Sequence, residues 1–274
     1  MVSYDFDEIL IAGASGLVGS ALIPALQADG DVVTRLVRSS PRPGEIEWHP
    51  NHDRIDGVRL EGFDAVINLA GENIAEGRWT EETKRRIRDS RVYGTHLLSE
   101  AMVNLPSPPK VFLCASATGF YGERGDEMLD EESESGGGFL AGVCREWEKA
   151  TEPATKAGVR VVNLRFGPIL SDKGGMLAKM LTPVKLGLAG KIGSGKQFIS
   201  WIAIDDVVGA IKLALKNDSL RGRSLHQDVG PRGVAPDRNG HARVCSASGV
   251  WGDGRRNASG KPASRAEEIG GRRL

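Results

Sequence analysis

Between residues 8 and 218, short apolar runs alternate with longer amphipathic ones. EILIAG (8–13), DVVTRLV (31–37), DAVINLAG (64–71), KVFLCAS (110–116) and VRVVNLRFG (159–167) are β-rich and read as strands covered on both faces. The segments between them have helical spacing. Leu17, Ala21, Leu22, Ala25 and Leu26 share one face of a helix over 17–28, which Pro24 should bend. A long helix over 80–102 opens on Thr80 as N-cap, has two glutamates in its first turn, and turns Ile87, Gly94, Leu97, Leu98 and Ala101 inward. A third is expected from about Phe139 to Lys156, and Asp205 and Asp206 read as the N-cap of another in DVVGAIKLAL. Strands separated by helices make βαβ units, so the expected fold class is α/β, a Rossmann-type doubly wound parallel sheet.

Beyond Asn217 this pattern stops. From Arg221 to Leu274, ten Gly and ten Arg fall among 54 residues with no strand-like run and no sustained helical face, the composition of a disordered tail. The expected organisation is a dinucleotide-binding domain from 1–168 plus about 203–218, a substrate-side segment at 169–202, and an aberrant tail at 219–274.

The chain has 274 residues, 36 Lys and Arg, and 36 Asp and Glu. A formal charge of zero provides no electrostatic footprint for nucleic acid or an anionic membrane, which leaves a small molecule as the expected partner and the oligomeric state open. Cys114, Cys144 and Cys245 show no C-x-x-C spacing, and their odd number argues against a disulfide framework. No apolar run approaches the ~18 residues that a membrane span needs. The start MVSYDFDE is acidic where a signal peptide is basic, so a soluble cytoplasmic protein is expected.

The first strand runs into AGASGLVG, with Gly13, Ala14, Ser15, Gly16, Leu17, Val18 and Gly19 leading into a helix. A dinucleotide pyrophosphate needs one glycine for the bend, one for close backbone approach, one for helix packing, and a helix N-terminus to meet its charge. The second strand ends in Val37-Arg38-Ser39, where an acidic residue would hold the ribose of NAD. Arg38 is suited instead to a 2′-phosphate through paired charged bonds, so the expected cofactor is NADP. Leu69, Ala70 and Gly71 form a small-residue turn that lets backbone pass close under an adenosine, and Arg91 on the following helix is a candidate for the cofactor phosphates.

AGASGLVG, NLAG (68–71), SATGFYG (116–122) and WIAIDDVVGAI (201–211) resemble the extended short-chain dehydrogenase/reductase, or NAD-dependent epimerase/dehydratase, superfamily. GENI (71–74), FLAGVCREWEKA (139–150) and GSGKQFISWI (193–202) resemble its atypical epimerase-family group. The resemblance covers about residues 8–218 and implies an NADP-binding Rossmann domain with a small substrate domain, here incomplete. It implies an oxidoreductase or epimerase-like enzyme acting on a small carbonyl or hydroxyl compound. Ser116 stands in the place of the family's catalytic serine, but the Tyr-x-x-x-Lys places fall at Leu140 and Cys144. Leucine has no proton to exchange and cysteine no fixed positive charge, so the proton is left to Tyr121 or water. The missing pair also admits a protein that holds NADP without turnover. Gln197, Phe198 and Trp201 are implied to face the substrate.

Three further motifs change little. Gly190, Gly195 and Lys196 partly match a P-loop, but Gln197 fills the Ser/Thr place and no helix is expected after it. His49 and His52 lack a second pair of ligands, and no metal is expected. The acidic stretch EMLDEESESGGG (127–138) reads as a solvated loop able to lie over the cleft as a lid. The Gly/Arg/Ala/Ser-rich text after residue 218 is what a shifted reading frame in GC-rich DNA produces, the third reading being an inactive product of that shift.

Overall fold

The structure is a computed structural model that describes residues 8–188, 190, 195, 198–217, 220 and 223–226. Its strands are β1 (Glu8–Ala12), β2 (Val32–Val37), β3 (Glu45–His49), β4 (Arg54–Ile55), β5 (Ala65–Asn68), β6 (Val111–Ala117), β7 (Arg160–Phe166), β8 (Ile169–Ser171), β9 (Ile202–Ala203) and β10 (Arg223–His226). The α-helices are α1 (Leu17–Asp29), α2 (Glu81–Val103), α3 (Phe139–Lys149), α4 (Glu152–Lys156), α5 (Gly175–Lys185) and α6 (Ile204–Lys216). The main sheet has the order β10-β7-β6-β5-β1-β2-β3-β4 and is parallel except where β4 folds back on β3. Strand β8 pairs with β9 in a separate small sheet.

Alternation within the central strands explains their unbroken apolar text. Ile9 and Ile11 face a layer with Leu22 and Leu26 of α1 and Val207, Ile211 and Ala214 of α6. Leu10 and Ala12 face the other layer, with Leu97, Leu98 and Met102 of α2 and Trp147 of α3. Both faces are thus buried, and each large aliphatic side chain in them contributes about 1.5–3 kcal/mol. The doubly wound expectation holds. Strand β2 departs from it: only Leu36 is buried, and Val32 is 52% exposed, because just two short strands lie outside it.

Helix α1 continues through Pro24, which sits on its exposed side and leaves one helical bond unmade. Thr80 caps α2 as expected, accepting from the Thr83 amide at 3.2 Å. The third expected helix divides into α3 and α4, since Pro153 has no N–H to continue the ladder. Ala203, not an aspartate, is the N-cap of α6; Asp205 and Asp206 lie within its first turn, where they favour the helix dipole. The short strands β3 and β4, hidden in EIEWHPNHDRI, and helix α5 were not foreseen.

The C-terminal boundary also moves. Strand β10 pairs in parallel with β7, Arg223 opposite Val162 through His226 opposite Arg165. Regular structure therefore runs past the change of composition at residue 218, where no strand was expected. Buried Arg160 organises this edge by donating to the carbonyls of Ala214 at 2.8 Å, Leu215 at 2.5 Å and Asn217 at 3.1 Å. These are orphan carbonyls at the end of α6. Among the described residues, no helix is long and apolar enough to cross a membrane.

Replacing Arg160 with Met should leave those carbonyls without donors and lower unfolding free energy by about 2–4 kcal/mol. Chemical denaturation of Arg160→Met beside the surface control Lys156→Ala checks this.

Candidate functional site

The C-terminal ends of β1, β2, β3 and β5 open into one cavity of about 900 Å³. Gly13, Ala14, Ser15 and Gly16 line it, with Val37 and Arg38 on one side and Leu69, Ala70 and Gly71 on another. Two glycines make this geometry possible. Gly13 has φ +80°, and a Cβ there would lie 2.5 Å from the Leu69 carbonyl carbon. A Cβ at Gly19 would lie 2.5 Å from the Gly13 carbonyl oxygen, so the start of α1 rests directly on the turn. Leu17, Val18 and Gly19 stand behind the cavity wall; Leu17 packs toward Gly174 and Gly175 at the start of α5.

Asn68 fixes the second turn. Its Oδ1 accepts from the Ala70 amide at 3.1 Å, and its Nδ2 donates to Thr95 Oγ1 at 2.8 Å. Trp147 Nε1 donates to the same hydroxyl at 2.9 Å. Asn68 and Thr95 are fully buried, so each lost partner would leave a costly orphan. The turn is therefore held in place by α2 and α3. An Asn closing a buried strand before small residues is a recognisable Asx-turn signal; the distant Thr95 and Trp147 carry no such signal.

Arg91 lies elsewhere than expected. Its guanidinium donates to the Ile87 carbonyl at 2.9 Å and the Glu72 carbonyl at 3.0 Å, lies 5.2 Å over Trp147, and packs under Gly71. It braces the loop from behind and is not among the residues lining the cavity. Burial pulls its pKa below the ordinary arginine value.

Beside the cavity, at the end of β6, is a buried charged network. Ser116 Oγ donates to Glu148 Oε1 at 2.6 Å. Arg165 grips both Glu148 oxygens, each at 2.8 Å, and donates to Tyr121 Oη at 2.8 Å. Tyr121 Oη in turn donates to the Asp130 carbonyl at 2.8 Å, and the Arg165 guanidinium lies 3.5 Å over the Phe120 ring. Ser116 and Tyr121 are thus brought together, but neither is poised as expected. The single hydroxyl proton of Ser116 is directed at a carboxylate, and burial raises the Tyr121 pKa. Glu148 and Arg165 are the residues that motif reading missed; an arginine within the apolar run VVNLRF was their one visible trace.

Burial pushes the Cys144 thiol up to about 11, with Glu148 adding to the shift, and pushes Cys114 up to about 12. The acidic stretch is tied down: Arg145 donates to the Gly136 carbonyl at 2.8 Å, Arg124 to the Glu134 carbonyl at 3.1 Å, and the Gly136 amide to the Phe120 carbonyl at 3.0 Å. The solvated loop that was expected is largely exposed, but these bonds also make it part of the wall around Tyr121. Phe198 and Trp201 are 47% and 39% exposed and lie outside the cavity lining, while Gln197 lies outside the described residues.

The chain is similar to known proteins in sequence and in fold. The model of the NAD dependent epimerase/dehydratase family matches residues 9–225. An epimerase family protein of Mycobacterium bovis is 43% identical over 215 residues, covering 78% of this chain and 71% of that one. The human epimerase family protein SDR39U1, crystallised with NADPH, is 34% identical with a TM-score of 0.73, covering 86% and 76% of the two chains. A nucleoside-diphosphate sugar epimerase from Corynebacterium glutamicum is 41% identical with a TM-score of 0.71 over 79% of this chain, which spans 45% of that longer one.

Two outcomes are expected. Gly13→Ala should force Leu69 away and depress both the melting temperature and dinucleotide affinity, the latter by at least about tenfold; a thermal melt and a titration measure them. Raised thiol pKa values leave little thiolate below pH 10, so Cys114 and Cys144 should resist iodoacetamide at pH 8 in the folded chain and react once it is unfolded, as peptide mass mapping would show.

Proposed function

This chain belongs to the NAD-dependent epimerase/dehydratase family, and we propose that it is an NADP-dependent oxidoreductase or epimerase-like enzyme acting on a small carbonyl or hydroxyl compound. The observation that carries this reading is the cavity formed where the Leu69–Ala70 backbone closes on Gly13, with Arg38 at its ribose end. The fit to a dinucleotide is steric as well as electrostatic. Side chains are absent where the two turns meet, the Gly13–Gly16 backbone lines the floor, and the start of α1 supplies N–H groups and a positive dipole for phosphates. Arg38 is exposed and free to turn onto a 2′-phosphate.

When bound, NADP supplies or accepts a hydride. The chain's own contribution is orientation and control of one proton. Ser116 can accept a hydrogen bond from a substrate hydroxyl while it donates to Glu148, and Arg165 fixes that carboxylate in place through both of its oxygens. Tyr121 is removed from proton transfer by its buried bonds to Asp130 and Arg165. The proton accompanying hydride transfer then exchanges with water.

A second reading, a protein that holds NADP without turnover, is favoured by Leu140 and Cys144 in the Tyr-x-x-x-Lys places and by the occupied hydroxyl of Ser116. The inactive product of a shifted reading frame becomes the remaining alternative only if the cofactor is not bound at all.

Arg38→Ala should weaken NADPH binding by about 10- to 100-fold and leave NADH nearly unchanged, measured by calorimetry. Oxidation of bound NADPH by any member of a panel of aldehydes, ketones, quinones and nucleotide sugars supports the enzyme; binding without oxidation by any of them supports the holder. Tyr121→Phe should retain whatever turnover is found, and an abolished rate with unchanged folding would restore Tyr121 as the acid.

A further inference from the structure

Glu72, Asn73 and Glu76 line the dinucleotide cavity, and the same segment reaches the start of α3 at Trp79. There the rings of Trp79 and Phe139 meet edge to face, with 5.6 Å between centroids. Leu140 follows Phe139 and packs over the end of β6: a Cβ on Gly119, three residues after Ser116, would lie 3.5 Å from Leu140 Cβ. The segment 72–80 therefore runs from the dinucleotide cavity toward Ser116. A substrate that meets both a hydride and Ser116 has to lie along it.

The surface presented there is apolar and held in place. Trp79 and Ile74 are each 39% exposed, yet the indole is anchored, its Nε1 donating to the Ile74 carbonyl at 2.9 Å. Phe139 and Leu140 stand half-buried beside it. The segment is also stiffened at its tip. Asn73 Oδ1 accepts from the Ala75 amide at 3.0 Å, and Lys179 of α5 donates to the Ala75 carbonyl at 3.0 Å. Met176, one turn before Lys179 on the same side of α5, is half-buried and pliable. A contiguous, fixed apolar surface marks a ligand site in a way that scattered exposed side chains do not. The lysines of this wall are committed: Lys84, 5.9 Å over the Phe139 ring, pairs with Glu81 at 2.7 Å, and Lys179 is spent on Ala75. A sugar diphosphate is held by charge-assisted bonds from cations. This wall offers aromatic rings instead.

We propose that Trp79, Phe139 and Leu140 form the substrate wall, and that the substrate is a ring-bearing apolar alcohol or ketone, not a nucleotide sugar. The inference rests on the dinucleotide reading above and narrows its substrate class. It also gives Leu140 a use: in the place of a proton-donating tyrosine, leucine supplies apolar contact to the substrate ring.

The probes are 1-tetralone, an aromatic ketone, and UDP-glucose, titrated into the full chain by saturation-transfer NMR with and without NADP. The expected result is binding of 1-tetralone in both conditions, weakened about five- to tenfold by Trp79→Ala. Trp79→Phe keeps an aromatic ring and should stay within about threefold of wild type. Phe139→Leu removes the second ring from a different element and should also weaken 1-tetralone, so a local collapse of the segment in Trp79→Ala does not decide the result. Val58→Ala, at an exposed apolar position in the 3-10 turn Gly57–Leu60, should change nothing. Absence of 1-tetralone binding by wild type, or equal affinity in wild type, Trp79→Ala and Phe139→Leu, would overturn the proposal. So would tighter binding of UDP-glucose that is lost in Arg78→Ala, which would make the exposed Arg78 a diphosphate anchor. Failure of the dinucleotide reading is distinguishable: it shows as absent NADPH binding in calorimetry, while the 1-tetralone titration without NADP still tests the wall.

Discussion

The contact on which the cofactor side depends is one made without side chains: the backbone of Leu69 and Ala70 against Gly13. Any Cβ at Gly13 would intrude on the Leu69 carbonyl, and any at Gly19 would lift α1 off the turn. That closeness has to be held from the other side, since bare backbone supplies no packing of its own. Asn68, Thr95 and Trp147 hold it, linking β5, α2 and α3 through buried hydrogen bonds, while Arg91 supports the next residues from beneath. The glycine turn is thus half of a two-part clamp, and its other half is a polar cluster some eighty residues of chain in extent.

A second cluster, at the end of β6, uses the same device for a different purpose. Glu148 and Arg165 are almost wholly buried, with side chains 12% and 6% exposed. A pair in this setting contributes little net stability, but removing either partner would strand a charge at a cost of about 3–5 kcal/mol. Its effect is to fix direction: Ser116 points its proton inward, the Tyr121 hydroxyl is engaged as both donor and acceptor, and the acidic loop is drawn onto the protein. The positions where relatives of the common type would carry tyrosine and lysine contain an apolar residue and a thiol whose ionisation burial opposes.

Sequence pattern revealed the central sheet because parallel strands buried on both faces have unbroken apolar text, as in Ile9–Ala12 and Val111–Cys114. It revealed the glycine turn because the steric demand falls on three residues close in sequence. It failed where the cause lies far away in the chain. Strand β3 was not foreseen because its alternation in EIEWH is short and ends in WHPNH. Arg91 was assigned to phosphates because nothing local shows that Glu72 and Ile87 carbonyls occupy it. Strand β10 was missed because Gly and Arg surround four residues whose order comes from pairing with β7, not from propensity.

Amide hydrogen exchange of the full chain with and without NADPH tests both clusters in one measurement. Slowed exchange on NADPH is expected at residues 13–17, 37–39 and 69–72, with exchange around Ser116, Tyr121 and Glu148 already slow and unaltered. Protection that appeared only around Ser116 and Glu148, or nowhere, would contradict it.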